Sequence, residues 1–323
     1  MFMRAIVLRE DKQVAIEQCN VTDLPEGDVL VKVAYSTLNY KDALALTASA
    51  PIAKSYPMVP GIDFVGVVEE SDATEFTVGD TVVLNGWGVG EKHWGGLAEY
   101  ARVKSKWLIK LPKNMSPQDA MGIGTAGYTA MLCCNALRDA GVSPASGNIL
   151  VSGATGGVGS VAVAILAKRG YSVTALSGKA QQADYLTSLG ATAIKDRKEY
   201  EGKARILGGQ DWAGAVDVVG SHTLANIIAN TQYGGVVTAC GLAQGMDLPS
   251  SVAPFILRGV ALLGIDSVYC PQDKRQRAWD DLANELDPSV IQQITHEIGL
   301  DDCVEAAQNM MAGSVTGRYL VKL

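Results

Sequence analysis

The chain has 323 residues, of which 48% are hydrophobic, 19% are charged and 35 are glycine, a glycine-rich version of ordinary globular composition. This length predicts two domains with buried cores. The net charge of −7 and the lack of a lysine- or arginine-rich run argue against a nucleic-acid partner. With no signal-peptide pattern and no run of about 18 uncharged apolar residues, we expect a cytoplasmic protein without a membrane partner.

Short β patterns broken by glycine and proline dominate the chain to about residue 115. The best of these patterns are Val29 to Tyr35, Gly61 to Glu69 and Thr81 to Leu84. They predict a compact, irregular β domain. Ser116 and Pro117 then open a helical stretch. We expect Gly122 and Gly124 to interrupt it before a second helical run to about Asp139.

From Asn148 onward, strand patterns alternate with helical ones. The predicted strands are Asn148 to Ser152, Ser172 to Leu176, Thr192 to Ile194, Ala215 to Val219, Gly235 to Cys240 and Val260 to Ile265. Such alternation is typical of a doubly wound parallel sheet of the α/β class. A tail with a helix around Lys274 to Leu286 and a closing strand Tyr319 to Leu323 is expected to complete the N-terminal domain. The predicted domains are therefore 1–124 with 268–323, and 125–267.

The most informative run is Ala154-Thr155-Gly156-Gly157-Val158-Gly159. It follows an apolar strand and opens a helix rich in alanine and valine, which is the context of a dinucleotide-binding turn. Glycine lets the backbone approach a pyrophosphate, and the helix N-terminus adds amides and a positive dipole end. We expect Thr155, Gly156, Gly157 and Val158 to bind the cofactor phosphates, although Ala154 occupies one of the usual glycine positions.

The end of the predicted strand Ser172 to Leu176, the second of the parallel sheet, distinguishes between the two nicotinamide cofactors. An NAD site usually carries an acidic residue about 20 residues beyond the turn, but this segment reads Ser177-Gly178-Lys179. A hydroxyl and an ammonium suit the 2′-phosphate of NADPH, and Arg197 could add a second cation. Lys179 could also be an ordinary solvated lysine. We predict NADPH as the cofactor.

Several further motifs, taken together with the glycine turn, suggest a family. They are Leu38-Asn39-Tyr40-Lys41-Asp42, Pro60-Gly61-Ile62-Asp63, Gly86-Trp87-Gly88-Val89-Gly90, Trp94-Gly95-Gly96-Leu97-Ala98-Glu99 and Gly124-Thr125-Ala126-Gly127-Tyr128-Thr129-Ala130. Over essentially its whole length the chain resembles the zinc-free quinone oxidoreductase branch of the medium-chain dehydrogenase/reductase superfamily. Within that branch it is similar to bacterial acryloyl-CoA reductases. The resemblance implies a Rossmann cofactor domain, a GroES-like catalytic domain and a homodimer.

The sequence lacks the ligands of the zinc-containing relatives. Tyr40 stands where a cysteine or aspartate ligand is needed, and Gly61-Ile62-Asp63 replaces a Gly-His-Glu motif. The only histidines, His93, His222 and His296, are scattered, and the six cysteines contain no Cys-x-x-Cys pair. We therefore predict no metal site, and we interpret the adjacent Cys133 and Cys134 as buried hydrophobic residues.

Without a Lewis acid, reduction of an activated C=C bond is more natural than alcohol oxidation, because the substrate's own carbonyl delocalises the charge. Hydride from NADPH would add to the β-carbon, and the protein would orient the substrate. The resemblance places Asn39 and Tyr40 near the nicotinamide. Tyr40 is our candidate for cofactor contact or proton donation and Asn39 for positioning, although Tyr40 could be simply a half-buried aromatic residue.

Other site residues follow from the resemblance alone. Leu242, Ile265 and Ser267 match positions that line the nicotinamide half of the cofactor site. Arg318 resembles a basic position near the cofactor and could equally be a surface arginine. Asp63 could be a buried charge with a basic partner or a turn cap, and we expect no catalytic role for it.

Three functions remain open from the sequence. The leading one is NADPH-dependent reduction of acryloyl-CoA to propanoyl-CoA, and the others are a broad-specificity NADPH:quinone oxidoreductase and a non-enzymatic NADPH-binding protein. A CoA substrate needs a cationic surface, whereas a small quinone needs an apolar pocket. The candidate cations are Lys41, Lys54, Lys92, Arg258 and Arg275. The apolar strand Val260 to Ile265 could form the edge through which two copies pair.

Overall fold

The computed structural model describes residues 1–323, with the exception of the side chain of Ala180. Two compact units make up the chain. The first comprises residues 1–125, 267–271 and 291–323, and the second comprises residues 126–266 and 272–290. None of the helices in this described chain is long and apolar enough to cross a membrane.

The first unit begins with strands that pair mostly in antiparallel fashion. They are β1 (Phe2–Leu8), β2 (Val14–Asn20), β3 (Val29–Leu38), β4 (Asp63–Ser71), β5 (Thr81–Asn85), β6 (Tyr100–Val103) and β7 (Leu108–Lys110), with helix α1 (Tyr40–Leu46) between β3 and β4. The pair β1–β2 forms a two-stranded sheet, and β3 pairs with both β4 and β6. The three strands predicted here are confirmed, whereas α1 was not predicted.

Helix α2 (Pro117–Asp139) links the β-rich part of the chain to the second unit. Its regular geometry breaks at Gly124, whose φ of 50° and ψ of −159° are not helical. This conformation is open mainly to glycine. The predicted interruption of the helix is thereby confirmed at Gly124.

The second unit contains a six-stranded parallel sheet. Its elements are β8 (Ile149–Ser152), α3 (Gly157–Lys168), β9 (Val173–Ser177), α4 (Ala183–Ser188), β10 (Ala193–Asp196), β11 (Trp212–Asp217), α5 (Ser221–Ala229), β12 (Thr231–Ala239), α6 (Ala253–Arg258) and β13 (Ala261–Gly264). The strand order is β10-β9-β8-β11-β12-β13, with every neighbouring pair parallel. This order is that of a Rossmann fold, so the predicted fold class is confirmed.

The C-terminal segment contributes to both units. It holds α7 (Gln272–Glu285), α8 (Pro288–Ile294), β14 (Thr295–Gly299), α9 (Cys303–Met311) and β15 (Arg318–Lys322). Strand β15 pairs antiparallel with β3 and parallel with β14, which completes the sheet β14-β15-β3-β4-β5-β7. The closing strand therefore lies where it was predicted.

Residues 272–290 differ from the expectation, because they belong to the second unit. The Trp279 ring stacks on Tyr128 with 6.3 Å between the ring centroids. Arg277 donates two hydrogen bonds of 2.7 and 2.8 Å to Asp139. A buried aromatic stack and a bidentate ion pair hold α7 against α2, and neither contact can be inferred from chain order.

Helices α1 and α9 pack together in the first unit. Ala43 and Leu46 of α1 share a buried apolar cluster with Cys303, Ala306 and Ala307 of α9. This packing fixes the N-terminal end of α1, where the candidate catalytic residues lie. Six short 3-10 helices complete the secondary structure: Val21–Asp23, Ser105–Trp107, Pro144–Ser146, Ala180–Gln182, Arg197–Tyr200 and Leu300–Asp302.

Candidate active site

The glycine turn of the second unit lies between β8 and α3, as predicted. Gly156 caps the helix, and its amide donates to the Gly153 carbonyl over 2.9 Å. A Cβ atom on Gly159 would overlap the carbonyl oxygen of Gly153 and lie 2.7 Å from the Ala154 Cα. Helix α3 and the turn after β8 therefore approach each other more closely than any larger residue at position 159 would allow.

The start of α3 has the features of a phosphate-binding site. The amides of Gly157 and Val158 donate to no acceptor in the described part of the chain, as is usual for the first turn of a helix. Both residues are partly exposed, Gly156 is exposed, and Thr155 is buried beside them. Amides and a positive dipole end that face solvent suit a pyrophosphate, so these residues fit the cofactor that the sequence predicts.

An acidic residue near the turn has a different role from ribose binding. Asp217, at the end of β11, accepts from the Ser152 hydroxyl over 2.7 Å and from the Gly220 amide over 2.8 Å. Asp217 is buried, and this burial raises the pKa of its carboxyl group. Its oxygens are engaged in joining β11 to β8, so Asp217 does not replace the absent acid of an NAD site.

The residues predicted to bind a 2′-phosphate come together at the end of β9. A Cβ atom on Gly178 would lie 2.6 Å from the Arg197 Nε atom, which places the guanidinium directly over this glycine. The amide of Lys179 donates to the Ser177 hydroxyl over 3.1 Å. Burial and the charge of Arg197 lower the pKa of Lys179. Two neighbouring cations repel each other, so binding an anion between them would be favourable.

One carboxylate is close to this phosphate corner, defined as Ser177, Gly178, Lys179 and Arg197. Arg197 forms an ion pair of 2.8 Å with Glu201, which lies one helical turn further along the chain. The Arg197 side chain is 64% exposed, so this pair is worth about 1 kcal/mol or less. A phosphate could displace it readily.

In the first unit, Asn39 belongs to a buried polar cluster with Thr37, Asp42, Asp63 and Arg318. The Asn39 side-chain amide lies within hydrogen-bond distance of Asp63 at 3.1 Å, the Thr37 hydroxyl at 3.0 Å and Asp42 at 3.2 Å. Thr37 in turn donates to Asp63 over 2.7 Å and accepts from Arg318 over 3.1 Å. The Asn39 nitrogen is thus engaged within the protein, and only its carbonyl oxygen remains to accept from a ligand.

The role of Asp63 is settled by this cluster. It is fully buried and accepts from the Thr125 amide over 2.6 Å. Arg318 is also buried, which lowers the pKa of its guanidinium while the charge of Asp63 acts in the opposite direction. Of the two readings of Asp63, the structure favours the buried charge, and its basic neighbour Arg318 is joined to it through the shared Thr37 hydroxyl. Arg318 is a buried residue, and its contact with the cofactor stays a prediction.

Asp42 is a member of the cluster that the sequence did not single out. It accepts from the amides of Asn39 over 2.9 Å and of Gly61 and Ile62 over 3.1 Å each. Burial, and then the negative charge of Asp63, raise the pKa of Asp42 to about 7. The spacing of Asn39 and Asp42, three residues apart at a helix start, is typical of a capping box and could have identified it.

The other residues predicted from the resemblance lie at strand ends and loops. Tyr40 is the first residue of α1, and 49% of it is exposed. Leu242 follows β12 and is exposed, and Ile265 follows β13, where its amide donates to Ala239 over 2.9 Å. Ser267 lies in the first unit against Gly86. Their contacts with a cofactor stay predictions.

Of the five cations considered for a CoA-binding surface, four have partners in the protein. Lys41 pairs with Glu91 over 2.8 Å, and Lys54 donates to the Pro51 carbonyl. Arg258 donates to four backbone carbonyl groups, those of Gly208, Gly209, Ala229 and Thr231. Arg275 is buried against the Tyr128 ring, 5.0 Å from its centroid. Arg258 and Arg275 are thus structural, and the suggestion that they bind CoA was wrong.

The six cysteines are free in the described chain, and Cys133 and Cys134 are buried as predicted. Burial raises the pKa of the Cys134 thiol to about 12. Among the described residues, no group of three or more histidine, cysteine, aspartate or glutamate side chains could hold a metal ion.

Two family models match the chain in the order of its two units. The alcohol dehydrogenase GroES-like domain matches residues 25–113, and the zinc-binding dehydrogenase domain matches residues 157–284. The chain belongs to the medium-chain dehydrogenase/reductase superfamily, in the branch that contains the bacterial acrylyl-CoA reductases. The resemblance drawn from the sequence motifs is thereby confirmed.

Close relatives make this relationship more specific. The acrylyl-CoA reductase AcuI of Ruegeria pomeroyi is 47% identical over 326 residues, which cover 99% of each chain. The yhdH oxidoreductase of Salmonella enterica, solved in complex with NADP, is 49% identical with a TM-score of 0.98 over 99% of both chains. The Bacillus subtilis protein yhfP, solved with NAD bound, is 42% identical with a TM-score of 0.96 over the full length of both chains.

Proposed function

We propose that this protein is an NADPH-dependent reductase of activated C=C bonds that converts acryloyl-CoA to propanoyl-CoA without a metal ion. The observation that carries the cofactor assignment is the phosphate corner, where Lys179 and Arg197 lie together at the end of β9. The substrate assignment is supported by full-length similarity to a relative that is named for acrylyl-CoA reduction.

NADP is bound in one close relative and NAD in another. In this chain, Ser177, Lys179 and Arg197 would hold the 2′-phosphate that only NADPH carries. The amides of Gly157 and Val158 would hold the pyrophosphate at the N-terminus of α3. The corner contains two cations, and the Glu201 carboxylate that pairs with one of them is displaceable, which favours NADPH over NADH.

The chemistry of this chain's own residues suits reduction of an enoyl thioester. When bound, NADPH supplies a hydride to the β-carbon of the substrate. The thioester carbonyl takes up the negative charge as an enolate, and a proton added at the α-carbon completes the product. Tyr40 presents a half-exposed phenol that can donate this proton or a hydrogen bond. Asn39, held by Asp63 and Asp42, can only accept through its carbonyl oxygen, which suits a positioning role.

We further propose that the protein is a cytoplasmic homodimer. Strand β13 lies at the edge of the six-stranded sheet, and its residues are only partly buried. Helix α6, just before it, exposes Ile256 and Leu257. An unpaired strand edge beside exposed apolar side chains is typical of a surface that a second copy covers.

The proposed function is tested by steady-state kinetics of the purified protein. NADPH and NADH would each be paired with acryloyl-CoA, crotonyl-CoA and a small quinone. We expect the highest kcat/KM for NADPH with acryloyl-CoA. A preference for NADH, or turnover of the quinone alone, would contradict the proposal. Cofactor binding without turnover of any substrate would instead identify a non-enzymatic NADPH-binding protein.

A further inference from the structure

A glycine-flanked turn in the first unit packs against the exposed Tyr269 and leads into an exposed lysine, Lys92. The turn follows β5, and Trp87 adopts a φ of 57° between Gly86 and Gly88, whose φ angles are 78° and 79°. The Trp87 amide donates to the Val268 carbonyl over 3.0 Å. This bond holds residues 267–271 on the turn. Tyr269 packs edge-on against the Trp87 ring, with 6.3 Å between centroids.

Lys92 and Tyr269 meet above Gly88. A Cβ atom on Gly88 would lie 3.7 Å from the Tyr269 hydroxyl oxygen and 3.8 Å from the Lys92 Cδ atom. Tyr269 is 55% exposed, and Lys92 is also exposed. In the described part of the chain, Lys92 forms no ion pair, which distinguishes it from Lys41 next to Tyr40. The hydroxyl end of Tyr269 and the Lys92 side chain therefore lie next to each other on the exposed surface beside Gly88.

The charges around Lys92 leave its ammonium available to a ligand. The neighbouring carboxylate, Glu91, is engaged by Lys41 over 2.8 Å. Because Lys41 follows Tyr40 in the chain, this ion pair also ties the turn to the N-terminal end of α1. The Lys92–Tyr269 surface is thus joined, within the first unit, to the element that carries the candidate catalytic phenol.

We propose that Lys92 and Tyr269 bind the nucleotide portion of a CoA thioester, a role that rests on the proposed function. A lysine ammonium is a mobile point charge suited to phosphate groups, and an exposed tyrosine ring offers a stacking surface to adenine. CoA combines these two chemical groups at the end remote from its thioester. Binding energy gained there favours the full CoA substrate over a shortened one.

The test compares acryloyl-CoA with the acryloyl thioester of pantetheine, which lacks the nucleotide. We expect Lys92→Gln to raise the KM for acryloyl-CoA about threefold to tenfold. Tyr269→Leu should raise it about fivefold, whereas Tyr269→Phe, which keeps the ring, should not. All three variants should retain the wild-type KM for the pantetheine thioester and for NADPH. Lys113→Gln, at another exposed lysine of the first unit, is the matched control and should change neither substrate constant.

Calorimetric titration with coenzyme A alone provides a reading that does not depend on turnover. Lys92→Gln should weaken this binding by the same factor as the KM for acryloyl-CoA. The inference is overturned if Lys92→Gln affects both thioesters equally, or if it raises the KM for NADPH instead. If Lys92→Gln and Tyr269→Leu both keep the wild-type KM for acryloyl-CoA, and the wild-type protein reduces acryloyl-CoA normally, this inference is overturned and the proposed function is not. Failure of the wild-type protein to reduce acryloyl-CoA overturns the proposed function and this inference with it.

Discussion

Arg318 and Asp63, far apart in the sequence, lie against the same residue, Gly124. A Cβ atom on Gly124 would overlap the Arg318 Nη2 atom and lie 3.0 Å from the Asp63 Oδ2 atom. The glycine that breaks α2 therefore also lies in contact with the buried polar cluster that holds Asn39. The backbone conformation of α2 and the geometry of this cluster both depend on having glycine at position 124.

Replacing this glycine should destabilise the protein strongly. We expect Gly124→Ala to lower the free energy of unfolding by about 3 kcal/mol, because it adds left-handed strain to a steric overlap. Gly79→Ala is the matched control, since Gly79 also has a positive φ but has open space around it. It should lose only about 1–2 kcal/mol. Chemical denaturation measures the free energy of unfolding of both variants. Equal losses would show that the contact of Gly124 with the polar cluster does not restrict this position.

The raised pKa of Asp42 predicts a pH dependence of stability. Between about pH 4 and 7 the unfolded chain has lost the Asp42 proton while the folded protein keeps it. Rising pH therefore favours unfolding across this window, by about 1.4 kcal/mol for each pH unit from this one group. Below and above the window, the contribution of Asp42 is constant.

The variant Asp42→Asn cannot titrate at this position. The stability difference, wild type minus variant, should fall as pH rises from 4 to 7 and then stay level above about 7.5. Urea denaturation at fixed ionic strength measures this difference, and the level region is its internal control. A difference that is flat over the whole range would show that Asp42 is ionised in the folded protein.

The phosphate corner predicts which side chain sets the cofactor preference. Lys179→Gln should lower kcat/KM for NADPH about tenfold to a hundredfold, because a charged hydrogen bond to the 2′-phosphate is lost. NADH lacks this phosphate, so its kcat/KM should change little. Lys195→Gln is the control and should leave both values unchanged, because Lys195 lies on the neighbouring strand β10 and pairs with Glu199. Equal losses of kcat/KM for the two cofactors would mean that Lys179 does not bind the 2′-phosphate.

The variant Tyr40→Phe removes a single oxygen atom and tests the two roles considered for Tyr40. If Tyr40 donates the proton, Tyr40→Phe should lower kcat about a hundredfold or more. If it binds the cofactor instead, the KM for NADPH should rise while kcat holds. Tyr56→Phe is a suitable control, because Tyr56 is a similarly exposed tyrosine of the first unit. Full turnover with unchanged NADPH affinity would refute both roles.

The secondary structure that carries strong local patterns was predictable. All six strands of the parallel sheet and the break at Gly124 follow from runs of apolar residues and glycine positions. Helix α1 was missed because only seven residues form it and its stability comes from packing against α9. The placement of α7 was wrong for a similar reason, since its contacts with α2 join distant parts of the chain.

The sequence by itself determined the glycine turn, the missing acid after β9 and the fold family, because each depends on residues that are close together in the chain. Only the tertiary structure brought Arg197 over Gly178, buried Asp63 with Arg318, and showed that Arg258 and Arg275 are structural. Burial and charge pairing depend on contacts between residues far apart in the sequence, so local sequence patterns do not predict them. The residues of the phosphate corner were named from the sequence, and their binding of a phosphate stays a prediction, whereas the cluster that holds Asn39 appeared only when the chain was folded.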